Sequence, residues 1–356
     1  MDYQRTNKRN FKEFRDRIMK STLREEDIRP EFLCRENAKL HANDVQRLLK
    51  RKNEFIKVAC PACESHNYQI IFEKNGFVFV RCGKCETVFV NPRPTFDMLT
   101  EFYATSESIK YWNDKIFPAS ENIRRREIFK PRAKRVFEIC KRYGALTDIL
   151  LDVGAGFGTF CEEIKKLDVF KRIIAVEPSH SLARTCRHKG LEVIEKPFEE
   201  VNLNKIGIKE VGVITNFELI EHLWWPKDFL LSCAEMLPRG GVLILTTLNI
   251  KGFDLLVLGK LSDNMGGPNH LNYFCPSSLS CLLNRCGFEV IERQTPGRLD
   301  AELVRKKIMN GEFDVSRQPF LQHILVDEWE NIGAIFQDFL ADNMLSSHLW
   351  VVARKR

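Results

Sequence analysis

The chain has 356 residues, 44% of them apolar and 29% charged, which excludes the disordered, collagen-like and fibrous classes and leaves ample length to bury a core. Its 55 basic and 48 acidic side chains give a formal charge of +7, and residues 1–57 hold most of that surplus, 16 Lys/Arg against 10 Asp/Glu. A membrane span is excluded as well, because the most apolar stretch, 229–258, is interrupted by Glu235, Arg239, Lys251 and Asp254. The first twenty residues are charged where a secretory signal would need an apolar core. Eight of the twelve cysteines stand singly in apolar patterns, as buried thiols of a reducing compartment do. The expectation is a cytoplasmic protein of about two domains, at roughly 150 residues each.

In chain order, residues 1–57 show broken helical periodicity at Phe11, Phe14 and Ile18, then at Val45, Leu48 and Leu49. They read as a basic, solvated helical arm. A nucleic-acid contact is the sharper alternative, poorly supported by a charge run without interleaved aromatics. Residues 58–95 hold three short β-like runs (68–72, 77–80, 87–90) and stop at Asn91-Pro92-Arg93-Pro94, as a separate small module. Within it Cys60-Pro61-Ala62-Cys63 and Cys82-Gly83-Lys84-Cys85 are two knuckles separated by 18 residues. Such knuckles place four thiolates tetrahedrally around one Zn²⁺, and so small an apolar inventory would need the metal to fold. A redox dithiol would use one CxxC, and a catalytic zinc needs an open position that four thiolates do not leave.

A helical connector follows over 96–147. Phe129, Ala133, Val136, Phe137 and Cys140 recur on one face, and Arg124, Arg125, Arg126, Arg132, Lys134, Arg135, Lys141 and Arg142 populate the others. From residue 148 apolar runs alternate with amphipathic segments, at 148–153, 172–176, 191–194, 211–216, 242–247, 288–293 and 348–353. This predicts a doubly wound α/β sheet of seven strands over 148–356. A helical insertion, 299–343, precedes the last strand, with Leu325, Trp329, Ile332, Ile335, Phe336 and Phe339 on one face.

The first of these strands runs into Gly154-Ala155-Gly156-Phe157-Gly158, whose glycines let backbone pass close to a ligand at the strand's C-terminal end. The spacing is G-x-G-x-G. A dinucleotide fingerprint would need Gly where Thr159 stands, and a Walker A loop would need a following Gly-Lys-Ser/Thr. The second strand ends in Glu177, 21 residues after Gly156, placed to accept hydrogen bonds from both ribose hydroxyls of a nucleoside.

At these residues the sequence resembles the class I S-adenosylmethionine-dependent methyltransferases over about 148–295. Leu151-Asp152-Val153-Gly154-Ala155-Gly156-Phe157-Gly158 is similar to their first motif, and Ala175-Val176-Glu177-Pro178-Ser179 to their acidic ribose-binding segment. Thr215 to Leu223, Leu237 to Leu243 and Asn269 to Phe274 are similar to segments of the ubiquinone-biosynthesis-like branch. A four-cysteine ribbon ending in Asn-Pro-Arg-Pro ahead of such a domain resembles bacterial methyltransferases of surface-sugar and polysaccharide biosynthesis. The resemblance implies a Rossmann-like sheet and S-adenosyl-L-methionine as cofactor, with Zn²⁺ structural in the ribbon. It implies that Asp152, Gly154, Gly156 and Gly158 line the methionine and ribose and that Glu177 holds the ribose diol. Phe198 and Glu199 fall where the family contacts adenine, and Asn216 and Phe217 where it closes the site.

Methyl transfer is an in-line displacement that asks the enzyme chiefly for alignment in a dry pocket. A sugar hydroxyl as acceptor would also want a general base. His270 and His222 are the candidates, with Glu221 and Tyr273 as supports; the bland reading of His222 is a hydrogen bond to a neighbouring loop. Asn216-Phe217-Glu218 does not match the pattern of adenine amino-methylation, and Thr185-Cys186 is misplaced for cytosine carbon-5 chemistry. The leading expectation is O-methylation of a small molecule such as a nucleotide-linked sugar or glycan precursor. The alternatives are an RNA methyltransferase reading through the ribbon and basic arm, and a non-catalytic cofactor-binding module.

Overall fold

The computed structural model describes residues 23–356; Phe11, Phe14 and Ile18 of the expected arm lie outside them. The rest of the arm is a helix, Glu31–Leu49, that buries Val45 and Leu48. Its charges are answered within the chain: Arg35 meets Glu31 at 2.5 Å, Lys39 meets Glu36 at 2.7 Å, and Arg51 meets Glu54 at 2.8 Å and Glu101 at 3.1 Å.

The cysteine unit is built on β1 (Tyr68–Lys74), β2 (Phe77–Cys82) and β3 (Val88–Val90). Its first hairpin turns through Asn75-Gly76, both at positive φ (50° and 83°), the two-residue turn whose twist matches paired strands. The connector is a run of helices, Phe96–Thr105, Glu107–Tyr111, Phe117–Arg124 and Lys130–Tyr143, joined after Tyr111 and Arg124 by π-helical turns at Trp112–Ile116 and Arg125–Phe129. Each π turn is followed within two residues by a proline, Pro118 or Pro131. A proline has no N–H to give and its ring crowds the preceding turn, so a widened turn accommodates it. The final helix buries Ala133, Val136, Ile139 and Cys140 against the sheet at helical spacing.

The sheet strands follow as β4 (Ile149–Val153), β5 (Arg172–Val176), β6 (Glu192–Ile194), β7 (Val213–Phe217) and β8 (Val242–Leu248), then β9 (Asn272–Tyr273), β10 (Phe288–Gln294) and β11 (His348–Lys355). Seven of them form one sheet in the order β10-β11-β8-β7-β4-β5-β6, with only β11 antiparallel to its neighbours. This is the expected doubly wound α/β sheet. The order reverses beside β4, and in such sheets ligands bind outside the carboxyl ends of the strands at that point. Alternate residues feed two cores. Leu151, Val153, Ile214 and Leu245 face one side, while Leu150, Val213, Ile244 and Val352 face the helix 130–143 on the other.

The cysteine unit, expected as separate, is joined to this domain. β9, too short to read from sequence, pairs antiparallel with β3 (Val88↔Tyr273, Phe89↔Asn272) and completes a four-stranded sheet. β3 is wholly buried and would otherwise be an apolar edge, which β9 covers. Arg93, 1% exposed, clamps the joint: its Nη2 donates to Asn272 Oδ1 at 3.2 Å and its Nε to the Val90 carbonyl at 3.2 Å. Its guanidinium lies between the faces of Phe89 and Trp224, at 5.9 and 5.6 Å.

Within the insertion, helices Asp300–Met309 and Trp329–Asp342 close a small core around Ala301, Val304, Leu325 and Leu340. Phe339, expected on the packed face, is instead 51% exposed, because the apolar stripe is wider than the cluster it covers. Beside this core the buried Asp254 faces Asp300, and its Oδ1 has no partner among the described residues. Burial and the Asp300 charge push its pKa from 3.8 up to about 7. The folded chain thus holds this proton more tightly than the unfolded one; the stabilisation is full below about pH 4 and is lost as the pH rises through about 7. Asp254→Asn should therefore raise the melting temperature at pH 8 by a few degrees and flatten its decline between pH 5 and 7. A scan with the wild-type slope would refute this.

Candidate active site and metal centre

At the end of β4 the chain turns through Gly154 and Gly156, both left-handed at φ +75° and +56°. A Cβ at Gly156 would meet nothing within 4 Å, because that position opens into a cavity of about 1160 Å³. Glu177, at the end of β5, lies across the turn. Its Oε2 accepts the Gly156 N–H at 2.8 Å and its Oε1 the Ser179 N–H at 2.9 Å. Burial nevertheless raises its pKa, and each oxygen keeps a further lone pair for a ligand hydroxyl. Asp152 is held by Thr215 Oγ1 at 2.7 Å and Cys161 Sγ at 3.3 Å, and burial pushes it up to about 6. Asp152, Gly154, Gly156, Glu177, Phe198, Glu199 and Phe217 all line the cavity.

Two expected cofactor residues do not line it. Gly158 is left-handed at φ +68°, but a Cβ there would strike Leu191 Cδ1 at 2.5 Å and Cys186 Sγ at 2.9 Å. Its need for glycine is helix packing. Asn216 is fully buried, and its Nδ2 donates to the Val153 carbonyl at 3.3 Å, bracing β4 against β7.

Of the expected catalytic group only His222 faces the cavity. Its Nδ1 bonds to the Asn269 carbonyl at 2.7 Å, which sets Nδ1 as the donor and leaves Nε2 free to accept. Burial, and the neighbouring His270, push its pKa down to about 3, so the ring is neutral at ordinary pH. His270 stands behind it with ring centroids 4.8 Å apart, its own Nδ1 on the Asn264 carbonyl at 3.0 Å. Tyr273 is fully buried, its hydroxyl receiving the Gly266 N–H at 2.9 Å and donating to the Asn264 carbonyl at 3.3 Å. It shapes the loop that carries His270. Glu221 accepts from Thr247 Oγ1 at 2.8 Å, while its Oε1 is buried and unpartnered, and burial raises its pKa well above the usual range. Glu221, His222 and His270 bring ligand atoms within 4.8 Å of one another, a spacing one divalent ion could share.

Residues from the connector were not expected here. Arg132, expected only among the cations on the faces away from the apolar one, lines the cavity. Its guanidinium lies 4.3 Å over the Phe217 ring and has no hydrogen-bond or ion-pair partner among the described residues. The carboxylates of Glu218 and Asp152 act on it through their charge. Arg135 lies likewise over Trp350 at 4.3 Å, and Phe117 stacks on Phe157 of the glycine turn at 3.7 Å. The signal that could have found Arg132 is its place one turn before the buried Val136, on the side of the helix that continues toward the end of β4.

The four cysteines come together as expected. Cys60 and Cys85 sulfurs are 3.4 Å apart, Cys63 and Cys82 sulfurs 3.5 Å, and all four lie within 4.8 Å. A disulfide would need about 2 Å, whereas a tetrahedral ion at about 2.3 Å from each sulfur spaces them about 3.8 Å apart. The geometry fits a closed tetrathiolate site, and Cys85, through the Cys60 thiol that donates to it, is pushed down to about 5.

Among the described residues no helix is long and apolar enough to cross a membrane. Residues 121–293 match a family model described as a methyltransferase domain. The ubiquinone biosynthesis O-methyltransferase of Caulobacter sp. (strain K31) is 32% identical over 116 residues, 32% of this chain and 45% of that protein. The protein of the same name from Burkholderia pseudomallei (strain K96243) is 25% identical over 168 residues, 45% of this chain and 66% of that protein. The chain thus spans about half to two thirds of the length of these relatives. A solved SAM-dependent methyltransferase from Archaeoglobus fulgidus superposes with a TM-score of 0.43 at 18% identity, covering 68% of this chain and 100% of that one. The glycine turn and Glu177 fall inside the segment, residues 121–293, that matches the methyltransferase-domain model.

Proposed function

We propose that the protein transfers a methyl group from S-adenosylmethionine to a hydroxyl of a small molecule, a nucleotide-linked sugar or glycan precursor, in a reducing, cytoplasmic setting. The observation that carries this reading is one cavity in which the open Gly156 turn and the Glu177 carboxylate lie at one wall and the free Nε2 of His222 at another. When bound, the cofactor supplies an electrophilic methyl on a sulfonium sulfur. Glu177 then accepts the ribose hydroxyls, and the unpaired Arg132 guanidinium suits the carboxylate of the methionine moiety. His222 Nε2, its ring held in one tautomer by the Asn269 carbonyl, would take the acceptor's proton as the oxygen–methyl bond forms, when that hydroxyl has become acidic enough for a ring of low basicity. The cysteine cluster, taken as a Zn²⁺ site, holds the loop that carries His222. O-methylation is supported by the names of the curated relatives; the sugar acceptor is supported by the order of cysteine unit, Asn-Pro-Arg-Pro turn and catalytic sheet.

RNA as acceptor has less support, since the described basic residues of the helix 31–49 are already paired with carboxylates. A non-catalytic cofactor-binding module would bind S-adenosylmethionine without turnover on any extract. The test is transfer of labelled methyl by the metal-loaded protein into a fractionated cell extract, with and without ribonuclease. Label in small, nuclease-resistant material is the expected result; label in ribonuclease-sensitive polymer would overturn it. With an acceptor in hand, His222→Asn should lower kcat about 10²-fold to 10⁴-fold with cofactor affinity unchanged, and His270→Asn should cost less. Equal losses would move the base to the pair.

A further inference from the structure

A typical small-ligand pocket measures ~300–1,000 Å³, so a cavity of about 1160 Å³ has room beyond one ligand. The end away from β4 and β5 is walled by residues 23–29, by the connector helices and by residues 296–303. There Arg124 lies between two aromatic faces, 5.4 Å from the Trp112 ring centroid and 5.6 Å from that of Phe117. Its Nε donates to Ser120 Oγ at 2.8 Å and its Nη2 to the Ile28 carbonyl at 2.6 Å. Both acceptors are neutral. No carboxylate pairs with it, and its Nη1 has no partner among the described residues.

Arg29 is the like-charged neighbour that acts on Arg124, and the Cys34 thiol acts in the opposite direction. Burial and the Arg29 guanidinium together push the Arg124 pKa down to about 10. Arg29 itself has Glu25 at 3.4 Å, but Glu25 also serves Lys306 at 2.7 Å. The carboxylates that line this end are engaged elsewhere, Glu127 with Arg298 and Asp300 with Gln337, Ser346 and Ser347, and Glu302, behind the wall, accepts the Glu25 N–H at 3.3 Å while burial raises its pKa. Of the remaining cavity arginines, Arg298 meets Glu127 at 3.2 Å and Arg135 meets Glu292 at 3.7 Å, while Arg132, unpaired and under the charges of Glu218 and Asp152, stands at the β4 end where the cofactor is proposed. A guanidinium held out of bulk water without a counter-charge is costly unless an anion completes it, and its planar fork suits phosphate oxygens.

We propose that Arg124, assisted by Arg29, binds the phosphate of the methyl acceptor, so that the acceptor is a phosphate-bearing small molecule. Phe117, one face of the Arg124 sandwich, stacks on Phe157, which puts the anion one ring stack from the glycine turn. A wholly apolar acceptor would leave the Arg124 guanidinium without a counter-charge. The word acceptor rests on the methyl-transfer reading, but the anion site itself is tested without turnover.

The experiment is calorimetric titration of the metal-loaded protein with uridine diphosphate and with inorganic pyrophosphate, in the presence and absence of S-adenosylhomocysteine. Wild type should bind both probes below millimolar concentration. Arg124→Gln should weaken them at least about 10-fold, Arg124→Lys should weaken them less, and S-adenosylhomocysteine should bind all three alike. Arg29→Gln, which breaks no backbone contact, should weaken the probes in the same direction and guards against a local collapse in the Arg124 variant. Wild-type failure to bind either probe, or wild-type affinity in Arg124→Gln, would overturn the proposal. So would a parallel loss of S-adenosylhomocysteine, which would assign Arg124 to the cofactor. Probe binding without S-adenosylhomocysteine binding would keep the anion site and defeat the methyl-transfer reading.

Discussion

Gly156→Arg should abolish binding of S-adenosylhomocysteine, with affinity at least about 100-fold lower, while the cysteine cluster keeps its metal. Two costs add at this position. Gly156 has φ +56°, a backbone conformation that costs a residue with a Cβ about 1–2 kcal/mol. The space a Cβ would enter is the cavity itself, so a long cation would occupy the volume the cofactor needs. The substitution would also bring a cation beside Glu177, whose Oε2 already accepts the Gly156 N–H. Gly158→Ala is the contrasting control. Its Cβ would collide with Leu191 and Cys186, away from the cavity, so it should lower the melting temperature by several degrees and change affinity far less. Calorimetry and metal analysis on the two variants read both outcomes; cofactor binding that survives Gly156→Arg would remove the glycine turn from the site.

Cys60→Ser should release the metal, lower the melting temperature by more than about 5 °C and reduce methyl transfer at least about 100-fold, with a much smaller change in S-adenosylhomocysteine affinity. The reason lies in what the knuckles hold. The Ala62 carbonyl accepts Arg285 Nη1 at 2.9 Å, and Glu64 pairs with Lys227 at 2.7 Å and with Arg285. From β3 the path runs through Arg93 to Asn272, whose Nδ2 donates to the Leu223 carbonyl at 2.7 Å. The N–H groups of Leu271 and Asn272 both donate to the Glu221 carbonyl, at 2.9 and 3.1 Å. Trp224 Nε1 closes the circuit on the Pro94 carbonyl at 2.9 Å. Losing the cluster thus loosens the segment 220–224 that carries His222, whereas Gly154, Gly156 and Glu177 stand on β4 and β5. Retained turnover after metal loss would make the cluster independent of the site, and equal loss of cofactor affinity would make its effect global unfolding.

The strands of the main sheet were legible because parallel strands buried on both faces are continuous apolar runs, and each of the seven expected runs became one. β9 was not, since two residues leave no period to read. The glycine turn and Glu177 were legible as a pair because both sit at the ends of consecutive strands, which this sheet brings to one wall of the cavity. The four cysteines were legible because their spacing alone brings the sulfurs together. Gly158 was misread, since left-handed backbone is common to all three glycines of the turn and only the neighbours of each decide whether the reason is a ligand or a packed side chain. His222 and His270 were indistinguishable for the same reason: both sit in loops at the ligand edge, and only their packing puts one in front of the other.

Local pattern determined the sheet, the glycine turn, the carboxylate of Glu177 across from it and the cysteine cluster, because each follows from periodicity or from spacing within a few dozen residues. Tertiary structure alone decided three things. It joined the cysteine unit to the loop that carries His222 through β9 and Arg93, it put His222 rather than His270 at the cavity, and it turned Arg124 and Arg132 inward. Helical periodicity records that a face is polar; whether that face looks onto water or into a cavity depends on which elements, distant in sequence, are packed opposite it.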